Sequence, residues 1–198
     1  MEKFVSVTSK TIAVPANDID TDQIIPAQFL TSIDRDGYGE NLFARLKQND
    51  PDFPFNQKQY QGATILITGS NFGCGSSREH AVWALTDAGI KVVIAASFAD
   101  IFYNNSAKNG LLLVVLPEAA ISELIKDRDN QVTVDLEGQT VETAGGAVHH
   151  FDYDPFRKHC LLNGLDDIDY ILTYKNETEK HKEDSRENWM KSTTSKRS

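Results

Sequence analysis

Cysteine is scarce in this 198-residue sequence, in which only Cys74 and Cys160 occur. An iron–sulfur cluster normally takes three or four thiolates, so two cysteines are too few for this chain to hold one by itself. The pair could form one disulfide, but two free thiols in a cytoplasmic protein are the interpretation we favour. The low cysteine count therefore also argues against a disulfide-stabilised secreted domain.

Long apolar runs are absent as well. No stretch of eighteen consecutive apolar residues is present, which argues against a membrane-spanning helix. Residues 1–10 also lack the apolar core of a secretory signal peptide. We therefore expect no association with a membrane and a cytoplasmic location.

Positive charge is in short supply. The chain has 20 Lys and Arg residues against 29 Asp and Glu residues, which gives a net charge of −9. A protein that binds nucleic acid on its own usually presents a basic surface, so nucleic acid is not an expected partner. The exception is the hydrophilic stretch 175–198, which we predict to be a flexible tail following one domain of residues 1–174.

The central part of the sequence alternates buried strands with helices, which is typical of an α/β fold. Parallel strands are expected wherever a helix connects two strands in this way. A hairpin with its turn at Glu137-Gly138 adds antiparallel strands, so the predicted sheet is mixed. The strands and helices predicted from the apolar pattern are Phe4–Val14, Ala63–Thr68, Ser77–Ala88, Lys91–Ala96, Phe98–Lys108, Leu111–Leu116, Pro117–Lys126, Gln131–Leu136, Gln139–Thr143, Asp154–Leu162 and Asp166–Leu172.

A glycine-rich loop, Gly69–Gly75, follows one of these strands and leads into Ser76, Ser77 and Arg78 at the start of a predicted helix. Glycines allow the backbone to approach a ligand closely, and a helix N-terminus together with an arginine favours an anion such as a carboxylate. A structural alternative is a capping box between Ser76 and Glu79, in which the serine only satisfies backbone N–H groups. The loop matches neither a Walker A motif nor Gly-x-Gly-x-x-Gly, so nucleotide binding is not favoured.

Several motifs in chain order resemble the swivelling domain of the aconitase superfamily. The glycine loop through Ala81 resembles that domain's active-site loop, and Asp18–Pro26 resembles its early acidic loop. Ser97–Asn105 and Asn109–Leu112 resemble its next helix and strand, and Asp154–Ile168 resembles the C-terminal segment of bacterial small subunits. The resemblance runs from about residue 12 to residue 172 and implies a single β/β/α swivelling domain with helices around a mixed sheet.

The same resemblance implies roles for individual residues. Ser76 would act as the general base that removes a proton next to a substrate carboxylate, and Arg78 would hold that carboxylate or stabilise the alkoxide. Ser77 would contact the substrate or shape the loop. Asp20, Thr21 and Asp22 would support the site, although a plain Asx-type turn is the alternative, and the sequence does not choose between the two aspartates. Gly75 belongs to the same substrate-binding loop, and Arg35 is a further candidate for selecting the substrate side chain.

The activity of this family implies that the protein is a hydro-lyase, which isomerises a hydroxy-dicarboxylate by dehydration and rehydration. A [4Fe–4S] cluster would be carried by a large partner subunit and would accept the leaving hydroxyl. We expect no metal on this chain, because Cys74 and His80 lack a second pair of ligands at zinc spacing. A substrate with a bulky apolar side chain is favoured. The alternatives are a homoaconitate or citraconate type of substrate, a stand-alone anion-binding module, and a regulatory protein of the RNA-binding kind.

Overall fold

Seven strands form one mixed sheet within residues 1–30, 37–76, 78–126 and 131–175, which the computed structural model describes. The strands are β1 (Ser6–Val14), β2 (Ile65–Thr68), β3 (Val92–Ala95), β4 (Leu112–Val115), β5 (Gln131–Asp135), β6 (Thr140–Thr143) and β7 (Val148–His150). Their order across the sheet is β4-β3-β2-β1-β5-β6-β7. The mixed α/β architecture predicted from the sequence is therefore confirmed.

Strands β1 to β4 form the parallel half of the sheet. Thr11 of β1 pairs with Ile65 of β2, which pairs with Val92 of β3, and Val92 pairs with Leu112 of β4. All residues of β2 and β3 are buried. Continuous apolar runs of this kind are expected where helices cover both faces of a parallel sheet.

The antiparallel half consists of β5, β6 and β7, joined to the rest through the pairing of β5 with β1. The predicted hairpin of β5 and β6 is confirmed, with Val132 opposite Thr143. Strand β7 was not predicted. It has only three residues, Val148, His149 and His150, which is too short for an alternating pattern to be recognised.

Seven helices accompany the sheet in the described residues. They are α1 (Thr21–Ile24), α2 (Ala44–Asn49), α3 (Glu79–Asp87), α4 (Asp100–Lys108), α5 (Glu118–Lys126), α6 (Pro155–Asn163) and α7 (Asp167–Thr173). A 3-10 turn, Ala27–Phe29, follows Pro26. Between residue 37 and β2 the chain forms α2 and three further 3-10 turns.

Two apolar clusters pack the two faces of the parallel half. Leu66 and Val93 contribute to one cluster together with Leu85 of α3, and their strand neighbours Ile65 and Ile94 contribute to the other. The alternation places helix α3 against one face and α5, through residues such as Ile121 and Leu124, against the other. Each fully buried side chain of this size stabilises the fold by roughly 1.5–3 kcal/mol.

The chain divides into two compact units, Met1–Gly164 and Leu165–Ser198. Within the second unit, Asp166 caps α7 through a reciprocal capping box with Asp169. The predicted domain of residues 1–174 stays a prediction, and the predicted flexible tail falls, from residue 176 onward, outside the described residues. None of the helices in the described part of the chain is long and apolar enough to cross a membrane.

Candidate active site

Two loops run side by side at the carboxyl ends of β1 and β2. We call residues 17–22 and 69–76 the paired loops. Three main-chain hydrogen bonds join them: Asp18 N–H donates to the Ser70 carbonyl at 2.9 Å, Gly73 N–H to Ile19 at 2.8 Å, and Thr21 N–H to Cys74 at 2.9 Å. The carboxyl edge of parallel strands is where ligands bind in open α/β sheets, so the loops lie at the expected place.

A third segment, Ser97–Ala99, adjoins the paired loops after β3. The N–H of Phe72 donates to the Ser97 carbonyl at 3.1 Å, and the N–H of Ala99 donates to the Phe72 carbonyl at 3.0 Å. These bonds bring the N-terminus of α4 beside the glycine loop. The two segments that the sequence linked only by family resemblance are therefore in direct contact.

Gly73 and Gly75 give the glycine loop its shape. Both have left-handed backbone conformations, with φ of +77° and +90°. At Gly73 an added Cβ would lie 2.2 Å from Cγ of Phe102, so only glycine fits the close approach of the loop to α4. The Thr21 hydroxyl, which is buried, donates to the Ser76 carbonyl at 3.1 Å and holds the end of the loop.

The two aspartates of the acidic loop have different contacts. Asp20 is the N-cap of α1: its carboxylate accepts from the Gln23 N–H at 2.7 Å, and its own N–H donates to Oε1 of Gln23 at 2.9 Å. Asp22 instead accepts from Nη1 of Arg78 at 3.3 Å, while Asp20 has no such contact among its described hydrogen bonds. The arrangement favours Asp22 over Asp20 as the aspartate that supports Arg78.

Asp22 also receives two other donors. The Ala27 N–H donates to Oδ1 at 3.0 Å, and Nη1 of Arg45 lies 2.5 Å from Oδ2. The pKa of Asp22 lies below its ordinary value, mainly because of the Ala27 hydrogen bond. Arg78 and Arg45 lower this pKa further. Asp22 is therefore ionised at neutral pH and carries a full negative charge beside Arg78.

A cavity of about 250 Å³ opens where the paired loops meet α4. Ser76 is exposed at this cavity, and the side chain of Arg78 is 25% exposed. Ser76 and Arg78 therefore line one and the same cavity. Its lining residues are Thr21, Gly73, Gly75, Ser76, Arg78, Ala99, Asp100, Ile101, Phe102 and Asn105.

The capping-box interpretation of Ser76 is wrong. Helix α3 begins at Glu79, and its N-cap is Arg78, for which no side-chain cap bond is formed. Arg78 has an extended backbone (φ −126°, ψ 115°), so it lies just before the helix rather than in the first turn, where the sequence placed it. Ser76 is therefore outside the helix and faces the cavity.

The surroundings of Cys74 and His80 indicate that both residues have structural roles. Burial, with smaller effects of Asp20 and Asp18, raises the pKa of the Cys74 thiol, which keeps it in its protonated form. The His80 ring packs on Trp83 and Tyr38, with ring centroids 4.7 and 5.3 Å away. Cys74 and Cys160 are not joined by a disulfide.

An iron–sulfur cluster does not fit this chain. Within residues 1–30, 37–76, 78–126 and 131–175, no group of three or more His, Cys, Asp or Glu side chains is arranged to hold a metal ion. The Sγ of Cys74 has no second thiol near it in sequence, since Cys160 belongs to α6.

The structure brings together most, but not all, of the predicted site residues. Asp20, Thr21, Asp22, Gly75, Ser76 and Arg78 lie in the paired loops or next to them. Ser77 and Arg35 lie outside the described residues. Sequence reasoning missed the α4 residues Asp100, Ile101 and Asn105, although the resemblance of Ser97–Asn105 pointed to that helix. It also missed Arg45, for which no motif gave a signal.

Comparisons with known proteins agree with this geometry. The aconitase C-terminal domain family model matches residues 1–119, and a second model, LeuD_N, matches residues 123–155. The first match covers more than half of the chain. The chain belongs to the aconitase C-terminal domain family.

Similar proteins within this family include small subunits of one enzyme. The 3-isopropylmalate dehydratase small subunit of Francisella tularensis subsp. novicida (strain U112) is 55% identical over 177 residues, which cover 88% of this chain and 93% of that protein. The protein of the same name from Ruegeria pomeroyi is 52% identical, covering 85% and 88%. A solved 3-isopropylmalate dehydratase (leuD) from Methanocaldococcus jannaschii superposes with a TM-score of 0.68 at 31% identity, covering 89% of this chain and 99% of that one. The small subunits of 3-isopropylmalate dehydratase are thus the branch of the family in which this chain falls.

Proposed function

We propose that this chain works as the small subunit of a 3-isopropylmalate dehydratase, which interconverts 2-isopropylmalate and 3-isopropylmalate by dehydration and rehydration in leucine biosynthesis. The observation that carries the proposal is the cavity in which Ser76 and Arg78 face the same space beside the paired loops. Its relatives' names support the substrate. Those names give no support to homoaconitate, citraconate or stand-alone anion-binding alternatives.

Ser76 is the proposed general base. Its exposed position, outside helix α3, leaves the hydroxyl free of a capping role, and the left-handed Gly75 before it sets the direction of the chain. As an alkoxide it takes the proton from the carbon next to a substrate carboxylate, the double bond forms, and hydroxide departs from the neighbouring carbon. Addition of water in the opposite sense, with Ser76 returning the proton, gives the other isomer.

Arg78 is the proposed ligand for the substrate carboxylate and the nearby positive charge that favours the serine alkoxide. A guanidinium offers a pair of parallel N–H donors that match a carboxylate. Asp22 keeps this side chain at the edge of the cavity through a contact of 3.3 Å, which is long enough to be exchanged for a stronger one. Ser77 remains a proposed substrate contact, and Arg35 a proposed contributor to side-chain selection.

A large subunit is the proposed partner, and the [4Fe–4S] cluster is proposed to belong to it. This chain's contribution is then confined to binding the carboxylate and moving the proton. The open cavity of this chain is consistent with a site completed by a second protein. The cytoplasm is the proposed location, which agrees with cysteines that are not joined by a disulfide.

The test is dehydration of 3-isopropylmalate by the anaerobically reconstituted complex of this chain with its large subunit, followed at the absorbance of the unsaturated product. Ser76→Ala is expected to lower kcat by roughly two to four orders of magnitude, with similar KM, because general base catalysis is lost. Ser122→Ala on the exposed face of α5 is the matched control and should keep full activity. Full activity of Ser76→Ala would show that the base is another group.

A further inference from the structure

Two guanidinium groups share one carboxylate at the edge of the cavity. Nη1 of Arg45 lies 2.5 Å from Oδ2 of Asp22, whereas Nη1 of Arg78 lies 3.3 Å from Oδ1. Short N–H···O distances between charged groups mark the stronger pairing. Asp22 thus makes its shorter contact with Arg45, and Arg78 makes the longer of the two.

The position of Arg45 is fixed by the fold. Helix α2 starts after Phe43, which is fully buried and has a left-handed backbone with φ of +52°. The Phe43 N–H donates to the Ile24 carbonyl, the last residue of α1, at 2.8 Å. This bond sets the beginning of α2 against the end of α1, so that Arg45, two residues later, reaches the carboxylate on α1. The Arg45 contact is therefore tied to a buried anchor although its side chain is 54% exposed.

The two contacts of Asp22, one with Arg45 and one with Arg78, affect the net charge at the edge of the cavity. A lone Asp22 would compete with an incoming carboxylate for Arg78 and would also repel it, because like charges a few ångströms apart disfavour each other. Arg45 supplies a second positive charge on the far oxygen of Asp22. It lowers the demand of Asp22 on Arg78 and offsets the repulsion of an anionic substrate.

We propose that Arg45 is a positioning residue for substrate binding, which neutralises Asp22 so that Arg78 stays available to the substrate carboxylate. The inference rests on the proposed function of Arg78 in the dehydratase complex. Arg45 acts through Asp22 and is not among the residues that line the cavity. Its loss therefore weakens the binding of the anion and leaves the proton transfer by Ser76 in place.

The experiment compares KM and kcat for 3-isopropylmalate in the reconstituted complex. Arg45→Gln is expected to raise KM roughly two- to fivefold with kcat unchanged, the range given by a partly exposed ion pair. Arg45→Lys restores a positive charge and should bring KM back toward the wild-type value. Lys58→Gln removes an exposed cation outside the cavity and is the charge-matched control, expected to leave KM unchanged.

A double substitution separates the proposed role from a general charge effect. In an Asp22→Asn background there is no carboxylate to neutralise, so adding Arg45→Gln should not raise KM further. An equal KM rise in both backgrounds would overturn the proposal, as would an unchanged KM in Arg45→Gln. A fall in kcat and in the melting temperature without rescue by lysine would assign Arg45 a purely structural role instead. Inactivity of the wild-type complex would overturn the proposed function first, and the inference with it.

Discussion

The parallel and antiparallel halves of the sheet share β1 but connect their strands in different ways. In the parallel half each strand must be followed by a crossover, so long loops collect at the carboxyl ends of β1, β2 and β3. In the antiparallel half β5 and β6 are joined by the turn at Glu137-Gly138 and β6 and β7 by the turn at Gly145-Gly146. The comparison explains why the candidate site lies on one half alone. Only the parallel half has loops long enough to form a site, whereas tight turns join the antiparallel strands.

The largest expected effect comes from a pair of glycine substitutions, one in each half. Gly73→Ala would place a Cβ 2.2 Å from the Phe102 ring at a left-handed position, whereas a Cβ at Gly146, also left-handed, meets nothing within 4 Å. We expect Gly73→Ala to lower the free energy of unfolding by roughly 2–5 kcal/mol, from strain and overpacking together. Gly146→Ala should cost about 1–2 kcal/mol, from backbone strain alone.

Urea unfolding of the isolated chain, followed by circular dichroism, measures both free energies. Equal losses in the two variants would mean that the close approach of the glycine loop to α4 does not constrain the fold. Larger loss in Gly146→Ala would reverse the comparison between the halves.

A smaller effect is expected from the helix caps. Asp20 caps α1 in the paired loops, and Asp154 caps α6, where its carboxylate accepts from the Arg157 N–H at 2.9 Å. Replacing either aspartate by alanine should cost about 1 kcal/mol of stability. Only Asp20→Ala should also lower kcat/KM of the reconstituted complex, because the loop that it caps borders the cavity.

Asp20→Asn provides the control, since asparagine keeps the capping oxygen and should restore both stability and turnover. Thermal melts and steady-state kinetics on the same preparations check the prediction. Reduced turnover in Asp154→Ala, at unchanged assembly, would contradict the assignment of the site to the paired loops.

The smallest effect concerns the reactivity of Cys74. Its pKa is raised by burial and by the nearby aspartates, so at a given pH less thiolate is present than in an ordinary thiol. In a Cys160→Ala background, alkylation of Cys74 by iodoacetamide should be slower than that of a small-molecule thiol at pH 8. The rate should rise to its plateau at higher pH than for the reference.

Unfolding in urea should abolish this difference, because it removes both causes of the shift. Alkylation of folded Cys74 at the reference rate, over the same pH range, would show that the thiol is activated rather than suppressed.

The strands and helices of the parallel half could be predicted from the sequence, because each is a distinct apolar run that ends at a glycine or at the start of a helix. Strand β7 was not predicted, because Val148, His149 and His150 form no recognisable alternating pattern. The start of α3 was placed too early, since serines before a helix look like caps whether or not they serve as caps.

The site was predictable only in part. The glycine loop and Arg78 indicated an anion site by themselves, whereas the acidic loop was linked to it by family resemblance. The contact of Asp22 with Arg78 joins residues 56 positions apart, and spacing along the chain gives no hint of it. Arg45 is a sharper case. Its contact depends on the left-handed backbone of Phe43, a conformation that no residue preference for phenylalanine would indicate.

The hydrogen bonds that join the paired loops have a consequence for how such a protein can change over generations. They link backbone atoms of Asp18, Ile19, Thr21, Ser70, Gly73 and Cys74. Apart from Gly73, where only glycine fits, a backbone donor or acceptor survives almost any side-chain replacement. Mutation can therefore exchange many of the groups that face the cavity without separating the loops that carry them. Ancestral and descendant enzymes can share one framework while diverging in the acids that they accept.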